Sequence, residues 1–391
     1  MEKLLTFSEI ELVVAGVLGG LFLLQLLFLL IVYFRPYRLA KKNNKKIDEM
    51  GANTPPVSII IYAKNESVNL QKNLPAILTQ DYPEYEVIVV NDVPSDESED
   101  VLKRLEAEYK HLYHTYIPES AKYLSRKKLA LTVGIKAAKH DVLLFTEASC
   151  RPHTTGWVKS MAKNFVPGKS FVLGFSAYVH HKGFMHKLIA YDNLIMGLQY
   201  LSSALAKSPY SGNGRNLAYL KEEFFKRKGY YRTLNLHAGD DDLFVNEAAT
   251  KDNTVVEYSI DSLTEIDEIE SFSVWKEMKV SRAATRRYYQ GWALTRYRFD
   301  TVIYFLFLIV TGLCIYLGVI GNPVMAAVGV LLYILLMLSK TIVFYKSAKL
   351  LQQKPIVYLF PVLAVITPLF NLYVRIYRSF RGKKDYTFNL N

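Results

Sequence analysis

The sequence predicts an α/β domain on a Rossmann-like, largely parallel sheet, held between membrane helices, one N-terminal and two to three C-terminal. Three observations predict it. Apolar runs rich in β-branched residues alternate with stretches of helical periodicity from about residue 55 to 145. Long apolar stretches near both ends match the thickness of a bilayer. The first strand-like runs end in polar turns, which on one sheet edge would form a crevice.

Residues 1–11 form a short tail carrying Glu9 and Glu11, and 12–34 read as a membrane span interrupted only by Gln25, Tyr33 and glycines. The length of that run, its acidic flank and the lack of a small-residue cleavage site argue against a removed leader. A basic linker, 35–54, follows with Arg35, Arg38, Lys41, Lys42, Lys45 and Lys46, so the next domain is expected on the cytosolic side. That domain covers 55–299. It opens with the strand 57–62, the helix 69–80 carrying Leu70, Leu74, Ile77 and Leu78 on one face, and the strand 85–90. A helix over 97–109, an extended piece over 112–117, a helix over 126–139 and a strand over 141–145 complete the regular part.

Spans follow at 301–320 and 323–345, separated by Gly321-Asn322. Arg286, Arg287, Arg296 and Arg298 before the first, and Lys346, Lys349 and Lys354 after the second, keep both flanks inside. The stretch 356–377 is long enough to cross, but crossing would export Arg375, Arg378, Arg381, Lys383 and Lys384. Pro361, Pro368 and Asn371 suit an interfacial helix, so both placements stay open before the basic tail 378–391.

The formal charge of +12 sits largely beside these spans, where anionic head groups meet it, so membrane lipids are expected partners and nucleic acid is not. Two cysteines, Cys150 and Cys314, build neither a disulfide framework nor a zinc site, as suits a reducing cytosol. His180, His181, His186 and His237 lack metal-ligand spacing.

The candidate site starts from the three turns, Lys64-Asn65-Glu66, Asn91-Asp92 and Glu147-Ala148-Ser149. Glu66 and Asp92 offer carboxylates to a base or ribose, and Glu147 could hold a cation carrying phosphates. Ser149 offers that cation only a neutral oxygen. Three adjacent aspartates, Asp240, Asp241 and Asp242, repel one another, which tends to raise a carboxyl pKa towards the range of a general base. They would equally suit an exposed acidic helix start. Arg282, Arg286 and Arg287 offer cations to a diphosphate or to lipid head groups.

Taken in order, Pro56-Val57-Ser58-Ile59-Ile60-Ile61, Asn65-Glu66, Gln80-Asp81-Tyr82-Pro83, Glu86-Val87-Ile88-Val89-Val90-Asn91-Asp92 and Ser95-Asp96 resemble the opening of family 2 glycosyltransferases. Lys127-Lys128-x-Ala130-Leu131, Gly214-Arg215-Asn216-Leu217-Ala218-Tyr219 and Gly239-Asp240-Asp241-Asp242-Leu243-Phe244 extend the resemblance over roughly residues 55–290. It implies a GT-A-type domain and an inverting transfer from a nucleoside-diphosphate donor, a UDP-sugar being expected. The acceptor would be lipid-linked or a glycan of the cell envelope.

The family's base falls on Asp240, with Asp241 one register away. The resemblance places Glu66, Asp92, Lys127, Lys128 and Glu147 on the donor, and Gly214, Arg215 and Asn216 under the sugar and acceptor; Arg282, Arg286 and Arg287 stand where the family's own motif is missing and offer their cations to the donor diphosphate or to lipid. It implies Mg²⁺ or Mn²⁺ at Glu147 and Ser149, although the family's Asp-x-Asp is here Glu-Ala-Ser. The glutamine of the family's Gln-x-x-Arg-Trp falls at Met278 and no Arg-Trp pair follows, which argues for a non-processive or short-chain, hexosyltransferase-like enzyme. These two departures also fit a non-catalytic relative that binds nucleotide or glycan and scaffolds an assembly. A bacterial inner membrane is the expected setting.

Overall fold

The computed structural model describes residues 7–43, 54–92, 95–117, 125–267, 269, 271–354, 356–382 and 386–387. Lys45 and Lys46 of the linker and Lys383 and Lys384 of the tail lie outside these residues. The chain enters through α1 (Glu9–Phe28), a π-helical turn over Leu29–Tyr33, and α2 (Arg35–Asn43). Ser8 and Glu11 form a capping box at the start of α1, each side chain bonding the other's backbone N–H.

The main sheet begins with β1 (Val57–Ala63), then α3 (Ser67–Leu78), β2 (Tyr85–Asn91), α4 (Ser98–Glu108), β3 (Leu112–Tyr116), α5 (Arg126–Ala137) and β4 (Val142–Glu147). These four strands run parallel in the order β3-β2-β1-β4. Burial on both faces explains why β1 is apolar apart from Ser58 and Tyr62. Ile59 and Ile61 pack with Leu70, Leu74 and Leu102 on one face, while Ile60 packs with Ala130, Leu131 and Ile135 on the other. Helix α5 comes so near that a Cβ on Gly134 would lie 2.8 Å from the Ile60 side chain.

Beyond β4 the sheet stops being parallel. A short β5 (Cys150–Pro152), α6 (Trp157–Ala162), β6 (Phe171–Leu173), β7 (Ser176–Tyr178), α7 (Phe184–Leu205), β8 (Leu217–Leu220) and α8 (Lys221–Lys226) follow. Then come α9 (Asp242–Ala248), β9 (Thr254–Val256), β10 (Thr264–Ile266) and α10 (Phe272–Thr285). Strand β8 lies antiparallel between β4 and β6, β9 adds to β6, and β5, β10 and β7 make a second small sheet. Three-residue strands leave too short a period for sequence pattern to reveal, so the parallel sheet expected from the first half becomes a mixed one.

Four helices are long and apolar enough to cross a membrane: Glu9–Tyr33, α11 (Ala293–Ile320), α12 (Pro323–Leu350) and the stretch Val357–Phe380, which contains α13 (Phe360–Phe380). Helices α1, α11 and α12 pack as a bundle, whereas α13 runs mainly beside α10. Trp275 stacks on Phe370 at 4.9 Å between centroids, and Arg381 pairs with Glu277 at 2.7 Å. Helix α7 joins both halves, since Leu198 and Tyr191 share one apolar cluster with Leu29, Phe307 and Phe344.

The hairpin of α11 and α12 depends on Gly318, where an added Cβ would stand 2.1 Å from the Ala326 amide nitrogen. Gly318→Val is therefore expected to destabilise the protein by about 3 kcal/mol, the upper part of the overpacking range, because backbone has no room to yield. Thermal unfolding in detergent would check this; an unchanged midpoint would show that the hairpin has slack.

Candidate active site

The strand order reverses between β1 and β4, and at such a switch point the carboxyl ends of neighbouring strands leave a crevice. Asn65, in a left-handed conformation with φ 54°, turns the chain after β1, and its side-chain oxygen accepts the Ser95 N–H at 2.9 Å. Glu66 follows, accepting Asn69 Nδ2 at 2.6 Å. Asp96 ties the two turns together through the Ser67 N–H and the Ser98 hydroxyl. Burial opposes its charge, but these hydrogen bonds outweigh it and bring its pKa down to about 2.

Three consecutive cations open α5, and helical rotation sends each in a different direction. Arg126 binds Asp92, Nε to Oδ1 at 2.6 Å, while the Tyr62 hydroxyl donates to Oδ2 at 2.8 Å. Lys127 reaches into the crevice, 3.0 Å from Glu147 Oε1 and 3.2 Å from Asp240 Oδ2. Lys128 is fully buried and donates to the carbonyls of Thr233, Leu236 and Ala238. Burial moves its pKa down to about 8 against the pull of Asp240, Asp242 and Asp241. Its ammonium thus pins the loop leading to the aspartates, spending its hydrogen bonds on backbone where the motif suggested a nucleotide donor.

The three aspartates also divide their work. Gly239, at φ +97°, makes the turn ahead of them, and a Cβ there would meet Leu243 at 2.5 Å. Asp241 caps α9, one oxygen accepting the Asp242 N–H at 2.7 Å and the other the Gly214 N–H at 2.8 Å. Burial, then the charges of Asp240 and Asp242, push its carboxyl up to about 6. Asp242 is buried and accepts from the Thr285 and Tyr289 hydroxyls, which fastens the end of α10 to the loop. Asp240 is left facing Lys127.

Arg215 extends this network. It is buried, with Nε 2.7 Å from Glu147 Oε2 and Nη1 2.9 Å from the Tyr178 hydroxyl. Lys127 and Arg215 therefore occupy both oxygens of Glu147. Burial would raise the Glu147 pKa, yet the two cations hold it well below the usual carboxylate range. Asn216, expected beside the sugar, instead faces the core, clasping the Phe175 and Ser262 carbonyls and the Trp157 indole N–H. Gly174 makes room for it, since a Cβ there would lie 2.5 Å from the Asn216 amide.

The structure brings together Lys127, Glu147, Arg215 and Asp240, and sets Asp92 beside them across α5. Arg282 on α10 and Arg286 and Arg287 just past its end lie along the wall of an adjoining cavity of about 610 Å³, which Arg215 and Tyr178 also line. Arg282 touches the Met196 sulfur, and Lys279 pairs with Asp192. Tyr62, Arg126 and Tyr178 escaped sequence reading because a Tyr in a strand or an Arg at a helix start carries no local mark of its distant partner.

A divalent ion does not fit the residues at the β4 turn. The single carboxylate of that turn already spends both oxygens on Lys127 and Arg215, and Ser149 adds only a hydroxyl, so the turn has no free carboxylate oxygen for Mg²⁺ or Mn²⁺.

Comparison with known proteins agrees with this architecture. Residues 22–378 match the profile of glycosyl transferase family 21. Glycosyltransferase AglE of Haloferax volcanii is 32% identical over 107 residues, covering 27% of this chain and 34% of AglE. The Bacillus subtilis protein named "Probable glycosyltransferase YdaM" is 32% identical over 134 residues, covering 33% of this chain and 31% of its own. The chain thus spans about a third of the curated relatives it matches. Among solved structures, mannosyltransferase PcManGT of Pyrobaculum calidifontis, in complex with GDP-Man and Mn²⁺, superposes with a TM-score of 0.54 at 15% identity. That match covers 94% of this chain and 99% of the other, and it shows a shared fold. The profile is numbered 21 where the sequence motifs resembled family 2, but the GT-A-like glycosyltransferase assignment is the same. The chain belongs to glycosyl transferase family 21.

Proposed function

We propose that the chain transfers a sugar, with inversion, from a nucleoside-diphosphate donor to an acceptor carried by a membrane lipid. The observation that carries this reading is Asp240, held on one oxygen by Lys127 next to the Lys127–Glu147–Arg215 cluster at the sheet's switch point. The acceptor hydroxyl attacks the anomeric carbon as the bond to the diphosphate breaks, and its proton passes to Asp240. Geometry favours Asp240 over Asp241, whose oxygens both serve backbone amides.

The departing diphosphate gains negative charge, which Arg282, Arg286 and Arg287 are suited to bind. No step is assigned to a metal ion. PcManGT was solved with Mn²⁺, and that comparison marks divalent metal use as the alternative which the test must address.

Calorimetric titration of UDP and GDP, with Mn²⁺ and then with chelator, tests the reading. One nucleotide is expected to bind with an affinity that changes less than threefold on chelation. Binding abolished by chelator would overturn the cationic clamp. Binding of neither by folded protein would favour the scaffold.

A further inference from the structure

Helix α13 has both of its ends on the same folded domain. Before it, Gln353 grips β7, its side chain accepting the Tyr178 N–H at 2.9 Å and donating to the Tyr178 carbonyl at 3.0 Å. The Lys187 ammonium of α7 donates to the Tyr358 hydroxyl. After it, Arg381 holds Glu277 of α10 through both terminal guanidinium nitrogens, at 2.7 and 3.0 Å. Thr387 then bridges to Leu236, and the Tyr386 carbonyl accepts the His237 N–H at 3.0 Å. All these partners belong to the residues between the first and second spans, and so to one side of the bilayer.

A helix of 21 residues is about 30 Å long, enough to carry one end through the hydrocarbon and away from the other. A crossing α13 would take Arg381, Tyr386 and Thr387 to the far side and break each of these contacts. Its mean hydropathy is also the lowest of the four candidate spans, 1.9 against 2.2 or more.

The two faces of α13 have different neighbours. Leu363, Thr367 and Val374 are buried, and Phe370 beside them stacks on Trp275 of α10. Helix α10 carries Lys276, Glu277, Lys279 and Arg282, charges that a hydrocarbon layer excludes. The opposite face of α13 exposes Val362, Leu369, Leu372, Tyr373, Ile376 and Phe380 as one stripe. An apolar stripe on a helix strapped to a charged one is the pattern of a helix lying in the plane of the membrane surface.

We propose that α13 lies flat in the leaflet on the domain's side, its stripe among acyl chains and Arg375 and Arg378 level with anionic head groups. The bilayer is then crossed three times, by the stretch Glu9–Tyr33, α11 and α12. This placement keeps the arginines of α13 on the same side as Arg35 and Arg38. It also fixes the height of α10, and of the crevice wall that α10 carries, above the lipid. A second copy of the chain covering the stripe would set Arg375 and Arg378 beside their own copies, which like charges disfavour. The placement does not rest on the transferase reading.

Val362, Leu369 and Ile376 stand about two turns apart along the stripe, so their depths tell the two orientations apart. The test puts one fluorophore on Val362→Cys, Leu369→Cys or Ile376→Cys of the full chain, in which Cys150 and Cys314 are buried. In phosphatidylcholine–phosphatidylglycerol nanodiscs, depth is read by quenching from lipids labelled near the head group or near the chain end. The three depths are expected to agree within about 5 Å, as for a helix seated at the head-group boundary. A steady change of about 20 Å from Val362 to Ile376 would show a crossing helix and overturn the proposal. No quenching at any of the three would give the stripe to protein, a second copy included, and would overturn it as well.

Should the variants fail to fold, protease-cleavable tags before Met1 and after Asn391 leave α13 unaltered. Three crossings put the two tags on opposite faces of sealed vesicles, the expected result. Cleavage of both from the same face would mean that α13 crosses.

Discussion

Asp240→Asn is expected to lower kcat for sugar transfer by about a thousandfold, within the range for a lost general base, while nucleotide binding stays within about twofold. The substitution keeps the side chain's volume and an oxygen for Lys127, so the crevice should keep its shape. Steady-state transfer with calorimetry on the same protein measures both quantities. Full activity in this variant would move the base to Asp241.

The pH profile offers a second view of that choice. The Asp241 carboxyl, raised by burial and by its two neighbours, titrates near 6. Between the ordinary carboxylate range and about 6, the folded chain holds a proton there that the unfolded chain releases. This group's contribution to stability is therefore fully present at low pH and lost as pH rises through 6. Activity has the opposite sign. Protonation of Asp241 removes a negative charge beside Asp240, weakening it as a base, so transfer should fall below about pH 6.

Lys127→Met is expected to damage both chemistry and stability. Its ammonium lies against burial, but Asp240, Glu147 and Asp241 together hold its pKa well above that of an ordinary lysine. Removing it leaves Asp240 without its cation and Glu147 with Arg215 alone. Breaking a buried pair costs about 3–5 kcal/mol, and with 31% of the Lys127 side chain exposed, roughly 2 kcal/mol is expected. Transfer should drop at least about a hundredfold, a loss typical of a removed electrostatic donor. Thermal unfolding and kcat/KM would be compared with Lys127→Arg, which should recover part of both. Wild-type behaviour in Lys127→Met would remove the clamp from the mechanism.

Much of this fold was legible because its signals are local. A run such as Val57–Ala63 can be buried on both faces only in a covered parallel sheet, and the length of Ala293–Ile320 marks a bilayer helix. The site was legible as motifs but less so as contacts. Lys127 and Lys128 are adjacent and chemically identical, yet one serves the crevice and the other three backbone carbonyls. Helical rotation separates them, but only the tertiary position of residues 233–238 decides which faces the site. Arg215 and Glu147 are 68 residues apart, and no period in the sequence links them. Asn216 read as part of the sugar loop because it follows Gly214 and Arg215 in the motif, while the close approach of Gly174 turns it inward.

The loop that Lys128 pins has another support: Leu236 forms a β-bridge with Thr387, and the His237 N–H donates to the Tyr386 carbonyl. Residues 386 and 387 are synthesised after every membrane helix. During biosynthesis, the segment leading to Asp240 thus gains its last partner only when α11, α12 and α13 have left the ribosome. A nascent chain halted before that point would carry the aspartates without the strap beside them. Full assembly of the crevice would then await insertion of the membrane helices.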